Sequence, residues 1–483
     1  MAKRADRADF SYVATTRTCA GEMTLRPYQE EAIGAVRAAF AAGRRAPLLV
    51  APTGAGKTVM FCYVTQGAKA KGRRVMILAH RAELLDQTSR ALMGLGISHG
   101  MIAAGRTADR TEAVQVAGVQ TLVRRLGNTP PPDLLVIDEA HHAAAGSWRA
   151  IVQAFPSAKI LGVTATPERL DGKGLGDVFD DLIRGPEVAD LIAAGFLSRP
   201  VYYAPTTASL DGVRTTAGDF NKADLEQAVN RPTITGDAVT HYRRLCAGVP
   251  AIAFCTSIAH AENVAANFRE AGFRWGVIDG TMTQEARRQA VADLGTGALH
   301  GLSSCEIVSE GFDLPCVTAA ILLRPTKSLA LYLQQVGRVL RPHPGKQNAI
   351  ILDHVGNVLR HGLAEELRGW SLEGAGERRQ KRTADDGIKN RQCPACYAVH
   401  APGLVCPLCG HEYEAKGRQV EEIAGELEQL DAERLAAVRK HKAQGKARTL
   451  GELVALGRAR GYKNPAAWAS HIITARRKRG VPA

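Results

Sequence analysis

The chain has 483 residues, more than one hydrophobic core usually organises, and its 45% hydrophobic and 23% charged residues are typical of globular proteins rather than disordered or coiled-coil chains. Its 62 Lys and Arg residues exceed its 48 Asp and Glu residues, and the net charge of +14 indicates a polyanionic partner, nucleic acid first and a membrane surface second. No apolar run approaches the roughly 20 residues that a membrane-spanning helix needs, and the N-terminus lacks the apolar core of a secretory signal.

The first half of the chain alternates short apolar runs with segments of helical periodicity. Four runs bounded by turn residues predict strands, and two segments between them have the spacing of amphipathic helices. This alternation is typical of a parallel sheet covered by helices on both faces, so we expect an α/β fold. The predicted strands are Pro47–Ala51, Val75–Ala79, Leu134–Ile137 and Ile160–Val163, and the helices are Ala82–Leu95 and Trp148–Ala154.

The same alternation begins again after a polar, turn-rich stretch near Pro200–Thr216. It predicts a second α/β lobe of similar size and stops near residue 371, where a charged linker follows. Beyond the linker, residues 419–440 and 448–479 have the pattern of polar, basic helices. The predicted strands of the second lobe are Ala251–Cys255, Gly276–Asp279, Leu302–Val308, Ala319–Leu323 and Ala349–Leu352.

The excess positive charge is concentrated in the last part of the sequence. Residues 416–483 carry 15 basic and 7 acidic side chains, and residues 377–391 carry 6 basic and 3 acidic side chains. A basic tail therefore follows a nearly neutral body.

Six cysteines stand singly, which is typical of small buried hydrophobes in a reducing compartment and predicts a cytoplasmic protein. They are Cys19, Cys62, Cys246, Cys255, Cys305 and Cys316.

A glycine-rich segment, Ala-Pro-Thr-Gly-Ala-Gly-Lys-Thr from Ala51 to Thr58, follows the first predicted strand and opens a helix. Gly54 and Gly56 allow a tight turn, so that successive backbone N–H groups and the helix N-terminus face a polyphosphate. Lys57 can neutralise the β- and γ-phosphates, and the Thr58 hydroxyl can ligate Mg²⁺. The pattern usually begins with glycine, where this chain has Ala51. The predicted phosphate site comprises Pro52, Thr53, Gly54, Ala55, Gly56, Lys57 and Thr58; the alternative is a glycine-rich turn ahead of a surface lysine.

Two adjacent carboxylates end the apolar run Leu134–Ile137. Asp138 and Glu139 are therefore expected at the carboxyl edge of the sheet, where ligands bind in such folds. Asp138 would hold Mg²⁺ directly or through water, and Glu139 would orient and deprotonate the attacking water. The alternative is that both residues only cap the next helix.

These segments resemble the superfamily 2 helicases and translocases, with Asp138-Glu-Ala-His141 in the place of the DEAH box. The resemblance covers residues 24–365 and implies two tandem RecA-like lobes. It further implies that Arg26, Gln29, Gly311 and Asp313 contact ATP, with Gln29 reading the edge of the base. Its other landmarks are Leu25–Gln29, Ala79–Leu84, Gly118–Thr121, Gly162–Asp171, Phe254–Ser257, Gly311–Asp313 and Gln334–Arg341.

The last landmark matches the motif VI pattern Q-x-x-G-R-x-x-R. The loose transition state of phosphoryl transfer spreads charge over the γ-phosphate oxygens, which a guanidinium can stabilise bidentately. Gln334, Arg338 and Arg341 belong to the second lobe, so we expect hydrolysis only when the lobes close over ATP; the alternative is a structural pair of arginines on a helix. The resemblance implies coupling of hydrolysis to lobe movement by His141, Thr164 and Thr166, and contacts to nucleic acid by Arg81, Gln120, Thr121, Thr256 and Ser257.

Within the superfamily the chain most resembles RadD-like bacterial DNA helicases and related phage helicases. The residues behind this resemblance are Ser309–Pro315, Leu323–Ser328 and Ile351–Asn357. Type I and III restriction motors and XPB-like helicases share many of these motifs. The sequence shows no separate endonuclease or methyltransferase domain, which argues against a complete restriction subunit.

Four cysteines cluster after the second lobe, as two C-x₂-C pairs separated by nine residues. Two such turns can present four thiolates tetrahedrally to Zn²⁺, so Cys393, Cys396, Cys406 and Cys409 predict a small zinc knuckle. Redox-active pairs and an iron–sulfur centre are the alternatives. A module of this size cannot bury enough core to fold alone, so metal binding is expected to stabilise it. Its expected task is to hold the basic tail against the motor or the DNA.

The tail combines arginine and lysine clusters with aromatic residues. Lys463, Arg476 and Arg477 can pair with phosphates, which would make binding fall steeply with salt. Trp468 could stack on an unpaired base or, alternatively, pack inside a small helical unit.

The sequence therefore predicts an ATP-dependent DNA helicase or translocase that uses ATP, Mg²⁺ and Zn²⁺ in repair, recombination or replication. The alternatives are a duplex-DNA translocase that remodels junctions or bound proteins, and an ATP-switched nucleic-acid-binding scaffold. DNA is the expected partner, single-stranded or branched, with RNA not excluded. Single-strand-binding or recombination proteins are candidate partners, and no membrane partner is expected.

The expected domains are an N-terminal extension (1–22), RecA-like lobe 1 (23–203), RecA-like lobe 2 (204–370), a charged linker (371–392), a zinc module (393–415) and a basic helical tail (416–483).

Overall fold

The computed structural model describes residues 24–106, 109–143, 146–169, 173–204, 215–216, 219–220, 232–305, 314–373, 390–393, 395–401, 403–413, 449–462 and 464–478. The chain divides into two compact units, Met1–Glu414 and Ala415–Ala483. The first unit contains two sheets whose central strands are parallel, which confirms the predicted α/β fold with two lobes.

The first sheet has seven strands within the described residues, and every strand pair in it is parallel. Their order across the sheet is β3-β4-β2-β5-β6-β1-β7. The four predicted strands are found with ends that differ by at most one residue, whereas β3, β4 and β7 were not predicted. The strands are β1 (Pro47–Val50), β2 (Val75–Ala79), β3 (Gly100–Ile102), β4 (Val114–Gly118), β5 (Leu134–Asp138), β6 (Lys159–Thr164) and β7 (Asp181–Arg184).

The central strands of this sheet are buried on both faces because helices cover each side. Successive side chains of a strand point to opposite faces. Leu48 of β1 accordingly packs in the same cluster as Trp148, while Leu49 packs in a second cluster with Ile33. The helices of this lobe are α1 (Pro27–Ala41), α2 (Lys57–Lys69), α3 (Ala82–Gly94), α4 (Val119–Val123), α5 (Gly146–Ala154) and α6 (Val188–Ala193).

The second sheet repeats this architecture. Six of its strands are parallel to their neighbours, in the order β12-β13-β11-β14-β15-β8. The predicted strand Leu302–Val308 is found as far as Cys305, and residues 306–308 lie outside the described residues. The strands are β8 (Arg199–Tyr203), β11 (Ala251–Cys255), β12 (Trp275–Ile278), β13 (Gly301–Cys305), β14 (Ala319–Leu322) and β15 (Asn348–Asp353), beside a short antiparallel pair, β9 (Thr215–Thr216) and β10 (Asp219–Phe220).

Three helices of the second lobe begin at a serine or threonine whose hydroxyl caps the helix. The side chains of Ser257, Thr283 and Ser328 each accept a hydrogen bond from the backbone N–H three residues later, which satisfies a donor that the helix cannot. The helices are α7 (Pro232–Cys246), α8 (Ile258–Glu270), α9 (Gln284–Gly295), α10 (Leu329–Val339) and α11 (Asn357–His361).

The boundary between the lobes lies earlier than the sequence predicted. Strand β8, which the prediction assigned to the first lobe, pairs in parallel with β15 of the second sheet over five residues, from Arg199 with Asn348 to Tyr203 with Leu352. Backbone pairing therefore commits the chain to the second lobe by Arg199. The lobe that was predicted to begin at residue 204 begins at this strand.

The cysteine-rich segment does not form a separate small fold within the described residues. Strands β16 (Arg391–Gln392) and β17 (Ala398–His400) pair with each other, and β17 pairs antiparallel with β8. The amide of Gln392 also donates to the carbonyl of Ala204, at 2.6 Å. The segment thus extends the second sheet and covers what would otherwise be its exposed edge strand.

The second unit contains two helices in its described part, α12 (Leu450–Ala459) and α13 (Pro465–Lys478). The sequence predicted one helical segment over residues 448–479, whereas the structure has a break between Ala459 and Pro465. Gly461 has a φ of 69°, a left-handed conformation that ends a helix, and Pro465 begins the next one. The other predicted helix, residues 419–440, lies outside the described residues.

Candidate functional site

The glycine-rich loop occupies the turn between β1 and α2, as the sequence predicted. Gly54 and Gly56 have φ values of 92° and 79°, which L-amino acids with a side chain rarely adopt. Ala51 has no such φ, since Glu139 and Tyr397 are the non-glycine positions with positive φ among the described residues. The departure from glycine at position 51 therefore costs the loop no backbone strain.

Lys57 curls back over this loop. Its Nζ donates to the carbonyls of Ala51 and Pro52, at 3.2 and 3.4 Å. The pKa of Lys57 lies below its usual value, because the effect of burial outweighs the opposing effect of the nearby carboxylates of Glu139 and Asp138. The ammonium is thus held beside the acidic pair, in the place where polyphosphate oxygens would compete for it.

The two predicted catalytic carboxylates lie at the end of β5. Asp138 is buried, and its Oδ1 accepts a hydrogen bond from the Glu139 backbone N–H at 3.0 Å. Glu139 has a φ of 51°, an uncommon conformation for a residue with a long side chain. Such a conformation persists where the surrounding structure enforces it, and such positions cluster at functional sites.

A chain of side-chain contacts leads from Glu139 to the end of strand β6. Glu139 Oε2 lies 3.4 Å from His141 Nδ1, and His141 Nδ1 lies 3.3 Å from the Thr164 hydroxyl. The Thr164 hydroxyl in turn donates to the Thr166 carbonyl at 2.9 Å and accepts from the Thr166 N–H at 3.2 Å. The three residues predicted to couple hydrolysis to movement are therefore joined to the predicted general base.

The motif VI helix, α10, packs directly against the phosphate loop. A Cβ placed on Gly337 would lie 2.6 Å from Cβ of Thr53, so only glycine allows this approach. A Cβ placed on Gly54 would lie 3.7 Å from Cγ of Arg341. Arg338 is buried. The main cause of the lowered pKa of Lys57 is its burial, and the positive charges of Arg338 and Arg341 lower this pKa further. The two second-lobe arginines are thus brought close to the loop of the first lobe. Gln334 is buried on the same helix.

The first turn of α1 also contacts the phosphate loop. Gln29 is buried; its amide N–H donates to the Ala55 carbonyl at 3.0 Å, and its oxygen accepts the Arg26 backbone N–H at 3.0 Å. The Tyr28 hydroxyl donates to the same Ala55 carbonyl at 3.1 Å. The guanidinium of Arg26 lies 4.5 Å from the ring centre of Phe196. The sequence reasoning missed Phe196, whose position after α6 carries no motif.

Most residues predicted to contact nucleic acid lie where strands end. Arg81 follows β2 and caps α3, and Gln120 and Thr121 lie in α4 directly after β4. Thr256 and Ser257 follow β11, but their hydroxyls already have partners: Thr256 contacts His260 Nδ1 at 2.9 Å, and Ser257 accepts the His260 N–H. The geometry therefore gives these two residues a local structural role.

Two histidines, His80 and His142, link Arg81 to the segment that follows β5, and the sequence reasoning missed both. The Arg81 Nε–H donates to His80 Nε2 at 3.4 Å. The ring of His80 lies edge-on to that of His142 at 4.8 Å, and His142 lies 4.1 Å from the ring of His141. Adjacency in sequence, His80 to Arg81 and His142 to His141, is the signal that could have found them.

Several predicted site residues cannot be located. Gly311, Asp313 and Lys463 lie outside the described residues, and the side chains of Arg476 and Arg477 are not described. Trp468 is half-buried; its ring lies 5.0 Å from that of Tyr462 and 5.8 Å from the Arg460 guanidinium, and it packs near Gly457. This packing agrees with the alternative of a structural tryptophan in a small helical unit.

The four clustered cysteines lie close enough to share one ion. Their sulfurs are all within 4.8 Å of one another, and the pairs Cys393–Cys409 and Cys396–Cys406 are both separated by 3.7 Å. A tetrahedral site with Zn–S bonds of about 2.3 Å requires sulfurs about 3.8 Å apart, so this donor set fits zinc. Burial disfavours the Cys393 thiolate, but hydrogen bonds from the N–H groups of Cys396 and Ala395 and from the side chains of Tyr413 and Cys409 together lower the pKa of this thiol to about 6.

The two cysteine turns have the same backbone design. In each, the residue four positions after the first cysteine donates its N–H to that cysteine's carbonyl and has a positive φ: Tyr397, at 62°, and Gly410, at 74°. His400 is not a ligand in this arrangement, since its Nε2 contacts the Tyr413 hydroxyl and its Nδ1 the Ala401 carbonyl, both at 2.7 Å.

Comparison with known proteins identifies the family. Residues 22–169 match the family described as type III restriction enzyme, res subunit, and residues 240–343 match the helicase conserved C-terminal domain. A 51.5 kDa protein of a Lactococcus phage (isolate 7-9) is 31% identical over 80% of this chain and 83% of the phage protein. The chain belongs to the superfamily 2 helicases. Such domains make it a helicase-family ATP hydrolase, and they confirm the predicted pair of RecA-like lobes.

Two further relatives of this helicase show how far the similarity extends. IRC3 of Saccharomyces cerevisiae, named as an ATP-dependent helicase, is 29% identical over 70% of this chain and 52% of IRC3. This chain thus spans about half the length of that relative. A fragment of an HsdR subunit of a type I restriction enzyme from Vibrio vulnificus YJ016 has a TM-score of 0.56 at 21% identity, covering 70% of this chain and 65% of the fragment, which shows a shared fold.

The described part of the helicase contains no helix that is both long and apolar enough to span a membrane.

Proposed function

We propose that this helicase is a DEAH-box, RadD-like motor that couples hydrolysis of Mg²⁺-bound ATP to movement on DNA, in repair, recombination or replication. The observation that carries the proposal is the contact between α10 and the phosphate loop, where Gly337 meets Thr53 and Arg341 passes Gly54. Charges that stabilise the transition state come from one lobe, and the phosphates bind to the other. Hydrolysis therefore depends on lobe closure, which is the basis of movement.

The reaction needs the phosphates held, a water deprotonated and the developing charge stabilised. Lys57 leaves the loop carbonyls to pair with the β- and γ-phosphates. Thr58 and Asp138 are the residues that would hold Mg²⁺, which would supply positive charge beside the phosphate oxygens. Glu139 takes the proton of the attacking water, and Arg338 and Arg341 stabilise the charge on the γ-phosphoryl oxygens.

Hydrolysis is transmitted through the contacts of His141. A change in the charge or position of Glu139 alters its 3.4 Å contact with the His141 ring, which also contacts Thr164. Thr164 and Thr166 form the turn after β6, at the same edge of the sheet as the other functional segments. The proposed signal is therefore a displacement of this turn when the γ-phosphate leaves.

We further propose that the cysteine cluster binds structural Zn²⁺, because the sulfur separations match tetrahedral thiolate coordination. The four cysteines would hold the ion beside β16 and β17, and the ion would thereby stabilise the pairing of β17 with β8 at the edge of the second lobe. Because β17 adds two backbone-paired residues to the sheet, loss of the metal would expose an unpaired strand edge.

The polynucleotide is proposed to cross Arg81, Gln120 and Thr121 in the first lobe. In the second unit, Arg458 lies in the last turn of α12 and Arg460 directly follows this helix. Phosphate contacts by these arginines would add salt-dependent affinity. The described contacts of Trp468 favour packing over base stacking.

The test is ATP turnover with single-stranded, duplex, forked and RNA ligands. The motor predicts turnover stimulated by DNA, and at least a hundredfold loss of kcat in Glu139→Gln with ATP affinity retained. Glu285→Gln, an exposed acid in the other lobe, is the matched control. Turnover of Glu139→Gln at the wild-type rate would refute the assignment of the general base, and a wild-type chain that binds ATP without turnover would favour the scaffold alternative.

A second candidate is a motor that translocates on duplex DNA without separating its strands. The match of residues 22–169 to the type III restriction enzyme res subunit favours it. Strand displacement on forked substrates, compared with displacement of a third strand from blunt duplex, distinguishes the two. Unwinding of forks supports the helicase, and third-strand displacement alone supports the duplex translocase.

A further inference from the structure

The side chain of Lys346 ends against the backbone that follows the motif VI helix. Its Nζ donates to the carbonyls of Val339, Arg341 and Val317, at 2.5, 2.8 and 2.6 Å. Val339 is the last residue of α10, and the last carbonyls of a helix lack partners inside it. Val317 lies just before β14. One ammonium group thus joins the end of the arginine-bearing helix to the sheet of the second lobe.

A tight turn delivers Lys346 to this position. The Lys346 backbone N–H donates to the His343 carbonyl at 3.0 Å, which closes a four-residue turn through Pro344 and Gly345. Proline suits the second position of such a turn, and Gly345, with a φ of 81°, suits the third. The chain therefore reverses direction, and the lysine side chain points back to the carbonyls that precede the turn.

Ser198 holds the same backbone from the opposite side. Its N–H donates to the Leu340 carbonyl at 2.7 Å, and its hydroxyl donates to the Arg341 carbonyl at 3.4 Å. Ser198 directly precedes β8, where the chain enters the second sheet. The three successive carbonyls from Val339 to Arg341 are thus all bound, two of them by Lys346.

These contacts have a consequence for the arginines. Arg338 lies in the last turn of α10, and Arg341 lies in the segment that Lys346 holds, so the position of this backbone sets where both guanidiniums reach. We propose that Lys346 is a positioning residue for ATP hydrolysis, which holds the turn after α10 so that Arg338 and Arg341 face the phosphate loop. The inference rests on the proposed function, because it assigns a support to the arginines of that mechanism.

The environment of Lys346 suits this role. Burial lowers the pKa of Lys346 to about 7, the Cys316 thiolate opposes this effect, and the Arg341 charge adds to it. His343 and Tyr203 line the same cavity. The protonated ammonium has three hydrogens for the three carbonyls, whereas the neutral amine has two, so the anchor is complete only in the charged form.

The test compares Lys346→Met, which keeps most of the volume but has no donors, with Lys346→Arg, which keeps the charge. Lys159→Met is the matched control, since Lys159 Nζ also donates to a backbone carbonyl, that of Phe40 at 3.0 Å, on the first lobe. We expect Lys346→Met to lower kcat by roughly tenfold to a hundredfold, as displacements near 1 Å do, and to leave the KM for ATP within about twofold. Lys346→Arg should recover part of kcat, and Lys159→Met should leave kcat unchanged.

A mutant cycle with the Arg338→Ala/Arg341→Ala protein separates positioning from general destabilisation. If Lys346 acts through these two arginines, adding Lys346→Met to Arg338→Ala/Arg341→Ala changes kcat by less than about twofold, because both supported groups are already gone. Full additivity of the two losses would overturn the inference, as would wild-type kcat in Lys346→Met. Should Lys346→Met melt below the assay temperature, Lys346→Gln takes its place in the same cycle. Wild-type turnover by Arg338→Ala/Arg341→Ala would instead refute the proposed function, so the two failures are distinguishable.

Discussion

Gly337 offers a sharp test of whether the lobes must touch at the phosphate loop. In Gly337→Ala the new Cβ would lie 2.6 Å from Cβ, 3.0 Å from Cγ2 and 3.2 Å from Oγ1 of Thr53. Non-bonded carbon atoms prefer about 3.5–4.0 Å, so helix α10 and the loop must separate by about 1 Å. The methyl group therefore acts as a wedge between the lobes.

The size of the effect follows from that separation. A displacement of about 1 Å of a catalytic group can cost roughly a hundredfold in rate, which corresponds to about 2.7 kcal/mol of transition-state stabilisation. Folding should not suffer to the same extent, because alanine is favoured over glycine inside a helix by about 1 kcal/mol. We therefore expect a folded protein whose kcat falls about a hundredfold.

The assay is steady-state ATP turnover with saturating DNA, together with the Kd of a fluorescent ATP analogue and the thermal midpoint. Gly295→Ala, at the end of helix α9, is the matched control, because a Cβ there would meet nothing within 4 Å. The control should keep full turnover. A Gly337→Ala protein that turns over ATP within twofold of wild type would refute the reasoning, since the wedge would then leave catalysis undisturbed.

Other predictions follow from single contacts. His80→Ala should reduce DNA-stimulated kcat several-fold more than basal kcat, because His80 connects Arg81 to His142; equal loss in both assays would contradict this. Tyr397→Gly should stabilise the cysteine module by about 1 kcal/mol, since glycine relieves the positive φ; this is measured as slower zinc loss to a chelator, and faster loss would contradict it. Turnover of the wild type should fall as pH rises through about 7, where Lys346 loses its proton, and this decline should be absent in Lys346→Arg; an identical decline in both proteins would remove Lys346 as its cause.

Much of the fold could be predicted from the sequence because buried strands leave a local signal. Runs such as Val75–Ala79 and Ala251–Cys255 are apolar, β-branched and bounded by turns, and their ends were predicted to the residue. Strand β8 gave no such signal. Arg199 and Pro200 begin it, and it joins the second sheet through its pairing with β15, a long-range contact that no local pattern encodes.

The cysteine module shows the same division between local chemistry and long-range pairing. Spacing alone predicted that Cys393, Cys396, Cys406 and Cys409 would converge, because each C-x₂-C turn is a local geometry. The pairing of β17 with Tyr202 and Tyr203 of β8 could not be predicted, because the sequence of a three-residue strand does not indicate which edge strand of a sheet it joins.

Within the site, the motifs predicted which residues meet but not how they are held. The segment Gln334–Arg341 predicted arginines at the phosphate loop, and the structure places Gly337 and Arg341 against it. Lys346 belongs to no motif, and one of its three carbonyl partners, Val317, lies 29 residues away in the sequence. Such supports depend on backbone positions, which become visible only in the folded chain.

The most direct measurement of the central claim is single-turnover ATP hydrolysis by the Arg338→Ala/Arg341→Ala protein, with bound ATP quantified in the same samples. The phosphate loop lies in the first lobe, so binding should stay within about threefold of wild type. Hydrolysis should slow at least a hundredfold, because the charge that the second lobe supplies on closure is gone. Hydrolysis at the wild-type rate with the same bound ATP would contradict the claim that the two lobes cleave ATP together.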